Sequence, residues 1–297
     1  MRSHVKAVPP AMLSLLLAVV GLVAWLQQPS PSPAANQVPG LSPALERRVP
    51  AVQASYRHRH HRKPHHSKPV VIVLDPGHGG WASGAVHVMP NGHVDNMEKW
   101  VTLKIAKLAA ADLRHAGFTV FLTRTRDQAV NQGKNQYHPT GDQGVDELES
   151  RVLFSNRHHA KIFVSMHING SSSSTAKGLT VYYCPAHRFA RSNLRLARSL
   201  DGAIAGSLKK VHYSPYNWGM HTDVSDIVPQ HFADYPYFLQ IGPADKRDHL
   251  IENKAVSALG ETLFITNWHE DSLLKRRYIL KAIAWGYTRG IEHYLHP

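Results

Sequence analysis

Val70-Val71-Ile72-Val73-Leu74-Asp75-Pro76-Gly77-His78-Gly79-Gly80 is an apolar, β-branched run that stops at a turn of Pro and Gly. By composition the run is a buried strand, and the turn after it is one that Pro and Gly make easily. Open α/β sheets place their ligands in the loops at the carboxyl ends of parallel strands. A histidine between glycines there has space around its ring, which makes His78 a candidate metal ligand. Taken alone, such a histidine is more often an ordinary loop residue, so the reading depends on partners. Two are present. Glu98 opens the amphipathic run Trp100 to Leu113, and His167 ends a second apolar run, Ile162-Phe163-Val164-Ser165-Met166. Parallel strands would put both imidazoles on one sheet edge. Two imidazoles and a carboxylate suit a zinc ion with an open coordination position.

Four segments in this order, Asp75-Pro76-Gly77-His78-Gly79-Gly80, Glu98-Lys99, Ser165-Met166-His167-Ile168-Asn169 and Gly260-Glu261-Thr262-Leu263-Phe264-Ile265-Thr266-Asn267, resemble the zinc-dependent N-acetylmuramoyl-L-alanine amidases of bacterial cell walls (amidase type 3). Leu122-Thr123-Arg124, Leu148-Glu149-Ser150-Arg151-Val152 with Asn156, and Gly178-Leu179-Thr180-Val181-Tyr182-Tyr183 extend the likeness, which runs from about Lys68 to the C-terminus. The resemblance implies one Zn²⁺ held by His78, Glu98 and His167. It also implies a substrate, the amide between the lactyl group of N-acetylmuramic acid and L-alanine in peptidoglycan. Glu261 would be the catalytic base that hands the proton to the leaving amine; a glutamate within so apolar a strand is costly unless it is paired or used. Asp75 reads as an orienting residue behind the ligands. For Arg124 and Arg151, internal pairing is favoured over binding a substrate carboxylate. Two other readings stay open at this stage: a zinc peptidase of the stem peptide, and a non-catalytic, membrane-tethered wall-binding or regulatory protein.

The net charge of +13 raises the question of nucleic acid, but its distribution argues against such a partner. Residues 1–68 hold nine of the 34 Lys and Arg and one of the 21 acids, so the basicity is concentrated in an arm suited to anionic lipid or wall polymer. Residues 11–26 are apolar behind Arg2 and Lys6, the order of an export signal, and are read as a signal anchor or signal peptide. They predict a chain at the periplasmic side of the cell envelope, exported or anchored in the inner membrane. Residues 27–56, rich in Pro, Ser and Ala, and the His- and Arg-rich tract 57–68 are read as a linker. Cys184 is the one cysteine, so no intramolecular disulfide can form, and it is expected to be a core thiol.

Residues 69–297 are expected to form one α/β catalytic domain, a mixed, mostly parallel sheet flanked by helices on both faces. Strands are predicted near 69–74, 118–123, 162–166, 179–183 and 259–266, and helices near 97–116, 147–159, 187–210 and 273–294. Residues 81–95 and 124–146 read as loops, and Asn267 to Leu273 as a turn. Residues 211–255, with Tyr213, Tyr216, Trp218, His221, Asp223, Asp226, His231, Tyr235 and Tyr237, look like an insertion: a lid, a glycan-binding surface, a partner site for an activator protein, or a satellite core.

Overall fold

The computed structural model describes residues 69–131, 143–224, 235–246 and 250–297. The main sheet has six strands: β1 (Val71–Pro76), β4 (Thr119–Leu122), β5 (Ile162–Asn169), β6 (Leu179–Tyr183), β7 (Asn217–Thr222) and β8 (Val256–Phe264). Their order across the sheet is β4-β1-β5-β8-β6-β7. β4, β1, β5 and β8 are parallel, β6 is antiparallel to β8, and β7 is parallel to β6. This reversal brings the starts of β6 and β7 to the edge where β1, β5 and β8 end.

The interior strands read as continuous apolar runs because both of their faces are covered. Ile72 and Leu74 of β1, with Val164 and Met166 of β5, share one core with helices α1 (Glu98–His115), α3 (Ala190–Lys210) and α5 (Arg277–Leu295). Helix α5 lies close on α3 because its glycines meet backbone: a Cβ on Gly286 would stand 2.6 Å from Ile204 Cα, and one on Gly290 2.7 Å from Leu200 Cα. Val73, Phe163 and Leu259 point to the other face, which is covered by Phe154 of helix α2 (Gln143–Arg157) and by Phe238 and Ile241. Beneath these, Tyr235, Leu239 and Leu250 pack with Val145. This described part of the 211–255 region is therefore core, while among the described residues its other end presents exposed Tyr216 and Trp218.

Three segments differ from the sequence expectation. Residues 81–95, expected as a loop, form most of an antiparallel hairpin, β2 (Val86–Val88) with β3 (Val94–Met97). Asn217–Thr222 forms the edge strand β7 although its sequence is polar and contains Gly219. The expected turn after β8 is a short helix, α4 (Trp268–Leu274), whose cap Asn267 accepts the amides of His269 and Glu270. Among the described residues no helix is long and apolar enough to cross a membrane, and residues 11–26 lie outside them.

Candidate active site

His78 stands just past β1 in a left-handed conformation, φ 59°, which histidine tolerates better than most residues. The turn that holds it there is clamped through its carbonyls. Arg124 donates to the carbonyls of Pro76 (3.0 Å) and Gly77 (2.8 Å), and Arg151 donates to those of Pro76 (3.0 Å) and His78 (2.9 Å). Both guanidiniums are buried, 1% exposed, so they serve the turn and are not presented to a substrate. Arg151 also binds Asp75 Oδ1 at 2.6 Å and Glu147 Oε1 at 2.9 Å. Asp75, fully buried, takes Thr123 Oγ1 on one oxygen and Ser165 Oγ on the other. Burial alone would push its carboxyl up, but Arg151 and these hydroxyls hold it below the usual range.

Glu98 is the first residue of α1, where the helix dipole favours a carboxylate. Hairpin β2–β3 delivers it: Glu98 N donates to Ala85 O, and Ala85 N donates back to Glu98 Oε2 at 2.8 Å. Gly84 makes this approach possible, since a Cβ there would lie 2.4 Å from Glu98 Oε2 and 2.6 Å from the His78 ring. The carboxylate faces both histidines, with Oε2 3.1 Å from His78 Nε2 and Oε1 2.9 Å from His167 Nδ1. Burial raises the Glu98 carboxyl, but the His78 and His167 rings outweigh it and hold Glu98 well below the ordinary range.

His167 projects from the end of β5, and its ring meets that of His78 edge to face with centroids 5.0 Å apart. Its Nε2 is buried without a partner, and burial lowers its pKa. One ligand-type atom from each of His78, Glu98 and His167 lies within 4.8 Å of the others. Glu261 is the direct cross-strand neighbour of His167 in the β5–β8 register. Its Oε2 is also buried and unpartnered. Burial, with the Glu98 carboxylate adding to it, pushes the Glu261 carboxyl well above the usual range.

A second cluster of ligand-type residues, His87, Asp95 and Asp271, lies behind the hairpin. Here the cation is supplied by the chain itself. Lys275 Nζ lies 2.5 Å from both Asp95 Oδ2 and Asp271 Oδ2. Asn96 donates to Asp271 Oδ1 at 2.8 Å, and His87 Nδ1 lies 2.6 Å from Asp95 Oδ1. The cluster ties the hairpin that carries Glu98 to helix α4.

His221 lies apart from this set; it is on β7, where its ring bonds the Trp218 carbonyl. Cys184 is a buried core thiol whose pKa burial pushes up to about 12. Asp223, 2% exposed beside that thiol, is pushed by burial up to about 7. Asp226, His231 and the 57–68 tract lie outside the described residues. Sequence reading assigned no role at the site to Gly84, to Thr102, whose hydroxyl donates to Gly77 O at 3.0 Å, or to Glu147. Glu147, which takes the amides of Val130 and Asn131 as well as Arg151, was detectable only as an i, i+4 partner of Arg151.

Residues 72–293 match the family model described as N-acetylmuramoyl-L-alanine amidase. The chain is 28% identical over 255 residues to the N-acetylmuramoyl-L-alanine amidase AmiA of Salmonella typhimurium, an alignment spanning 78% of this chain and 81% of that protein. Among solved structures it resembles the amidase AmiC2 of Nostoc punctiforme, with TM-score 0.54, 26% identity, and coverage of 78% of this chain and 99% of that one. It also resembles the CwlD amidase of Clostridioides difficile, solved in complex with the GerS lipoprotein, with TM-score 0.53, 25% identity, and coverage of 76% and 98%.

Proposed function

This chain belongs to the N-acetylmuramoyl-L-alanine amidase family, and from that premise we propose how its residues divide the hydrolysis of the amide between N-acetylmuramic acid and L-alanine in peptidoglycan. His78, Glu98 and His167 hold a single zinc ion. The observation that supports this most directly is the convergence of three ligand-type atoms, one of the rings keeping Nε2 buried and unbonded. An orphaned buried nitrogen carries a desolvation cost that a metal would remove. Zinc, when bound, supplies a Lewis acid toward the scissile carbonyl and a water of lowered pKa.

The remaining chemistry belongs to the chain. Glu261, next to His167 across the strands, takes the proton from the attacking water and gives it to the departing amide nitrogen. The second task matters because an amide leaves poorly unless its nitrogen is protonated. Glu98 is oriented by the amides of Ala85 and Ile168. Arg124, Arg151 and Asp75 fix the His78 turn and touch no substrate.

The site of action is the cell envelope, where the polymer lies, with residues 11–26 acting as signal or tether and 27–68 as linker. An activator protein acting on the 211–255 region is a further element of this reading, and it draws on the partnered state in which the similar CwlD was solved. Digestion of purified peptidoglycan, with and without chelator, tests the whole. Mass spectrometry should find chelator-sensitive release of intact peptides beginning at L-alanine. Fragments cut within the stem peptide would overturn the assignment in favour of a peptidase.

A further inference from the structure

The exposed large aromatic side chains are not scattered. Among the described residues they are Trp81, Trp100, Tyr216, Trp218 and Trp268, each 37–54% exposed. All five lie at the sheet edge that carries His78 and His167. Trp81 follows the His78 turn, beside Gly80, whose amide donates to Asp127; the Trp100 indole donates to the same carboxylate. Trp268 opens α4, just past the end of β8. Tyr216 and Trp218 flank the first residue of β7, which the β6 reversal brings to this edge. From β1 to β7 is four strand spacings, about 19 Å. Aromatic contacts spread over that distance suit an extended polymer.

The Tyr216–Trp218 pair is held in place. The rings meet edge to face with centroids 4.6 Å apart, an arrangement that covers one face of one ring and leaves the other ring's faces uncovered by the pair. The Trp218 indole N–H donates to Lys177 O at 3.0 Å. Tyr216 O accepts Leu179 N at 2.8 Å, across Gly178, where any Cβ would collide with that carbonyl at 2.0 Å. Rings already fixed lose little entropy on binding. Two rings are too small an area for a stable protein interface, which buries about 800 Å² per partner. Their faces match the apolar C–H faces of pyranose rings.

We propose that Tyr216 and Trp218 form a glycan subsite that binds the sugar chain of peptidoglycan three strand spacings from His167. The proposal rests on the reading of the substrate given above. It is tested by binding of the full-length protein to immobilised peptide-free glycan strands, at high salt to suppress the basic arm. Trp218→Ala and Tyr216→Ala should each weaken binding about tenfold. Trp218→Phe, which keeps a ring, should retain most of it. The ratio of turnover on insoluble sacculi to turnover on a monomeric muropeptide should fall about tenfold in the alanine variants. Glycan binding unchanged in both alanine variants, or absent from the wild type, overturns the subsite. Failure of the amidase reading would show separately, as wild-type release of fragments cut within the stem peptide.

Discussion

Gly77→Ala should cost the protein its metal while sparing its fold. Gly77 carries no positive φ, so the new methyl strains no backbone torsion. Its ideal position lies 2.4 Å from His167 Cε1, 2.6 Å from Nε2 and 2.7 Å from Nδ1. Ordinary contact begins near 3.4 Å, so something must retreat by about 1 Å. The backbone is not free to do so: Gly77 N donates to Met166 O at 2.9 Å, and Gly77 O accepts Arg124 and Thr102. The imidazole must therefore move, losing its alignment with Glu98. Metal sites tolerate roughly 0.2 Å in ligand distance, and disturbing even an outer partner typically costs about 10–100-fold in affinity. Zinc affinity should fall at least about 100-fold. Overpacking should cost about 1–3 kcal/mol, or roughly 2–12 °C in melting temperature. Competition against a chromogenic chelator gives the affinity and a thermal melt gives the stability. Gly202→Ala, with nothing within 4 Å of the added carbon, is the control; it should keep the metal and stabilise α3 by about 0.5–1 kcal/mol. One zinc per chain at wild-type affinity in Gly77→Ala would remove His167 from the ligand set.

Glu261→Gln should bind zinc normally and lose about 10²–10⁴-fold in turnover; near-wild-type rates in a peptidoglycan digestion would end its proton-transfer role. Arg151→Met should destabilise the fold by about 3–5 kcal/mol, seen in urea denaturation, because Asp75 and Glu147 keep their buried charges without a counter-ion; a loss below about 1 kcal/mol would contradict the buried clamp. Asp223 has a folded pKa of about 7, above its unfolded value near 3.9, so the folded state retains a proton that the unfolded state has released. Stability is then fullest below about pH 4 and declines as pH rises through about 7. Asp223→Asn should remove that decline, gaining on the order of a few kcal/mol at pH 8 and almost nothing at pH 4, and a gain independent of pH would refute the assignment.

The central frame was legible because its signals are long and redundant. Two β-branched runs that each end in histidine mark β1 and β5, and their parallel pairing puts His78 and His167 on one edge. Helix α1 was readable from its apolar spacing and from Gly117 past its end. Short polar elements were hidden. Hairpin β2–β3 is seven residues of strand held by the His87–Asp95–Asp271–Lys275 cluster, and contacts 175 residues apart leave no local pattern. Strand β7 looks like a loop because an edge strand need not be apolar. Helix α4 did carry a signal: Asn267 and Glu270 have the spacing of an N-terminal capping pair, overlooked because the helix is only seven residues long. The internal role of both arginines followed from neighbourhood rather than spacing, since Arg151 meets Asp75 across 76 positions of sequence.

Lys275 has a consequence for the metal-free protein. A tethered ammonium cannot be chelated, diluted away or exchanged for a competing metal. The hairpin it secures keeps Glu98 beside Ala85 whether or not anything sits between the histidines. Removal of an ion bound as proposed should then leave the fold intact, and one equivalent of zinc should restore the loaded protein without refolding.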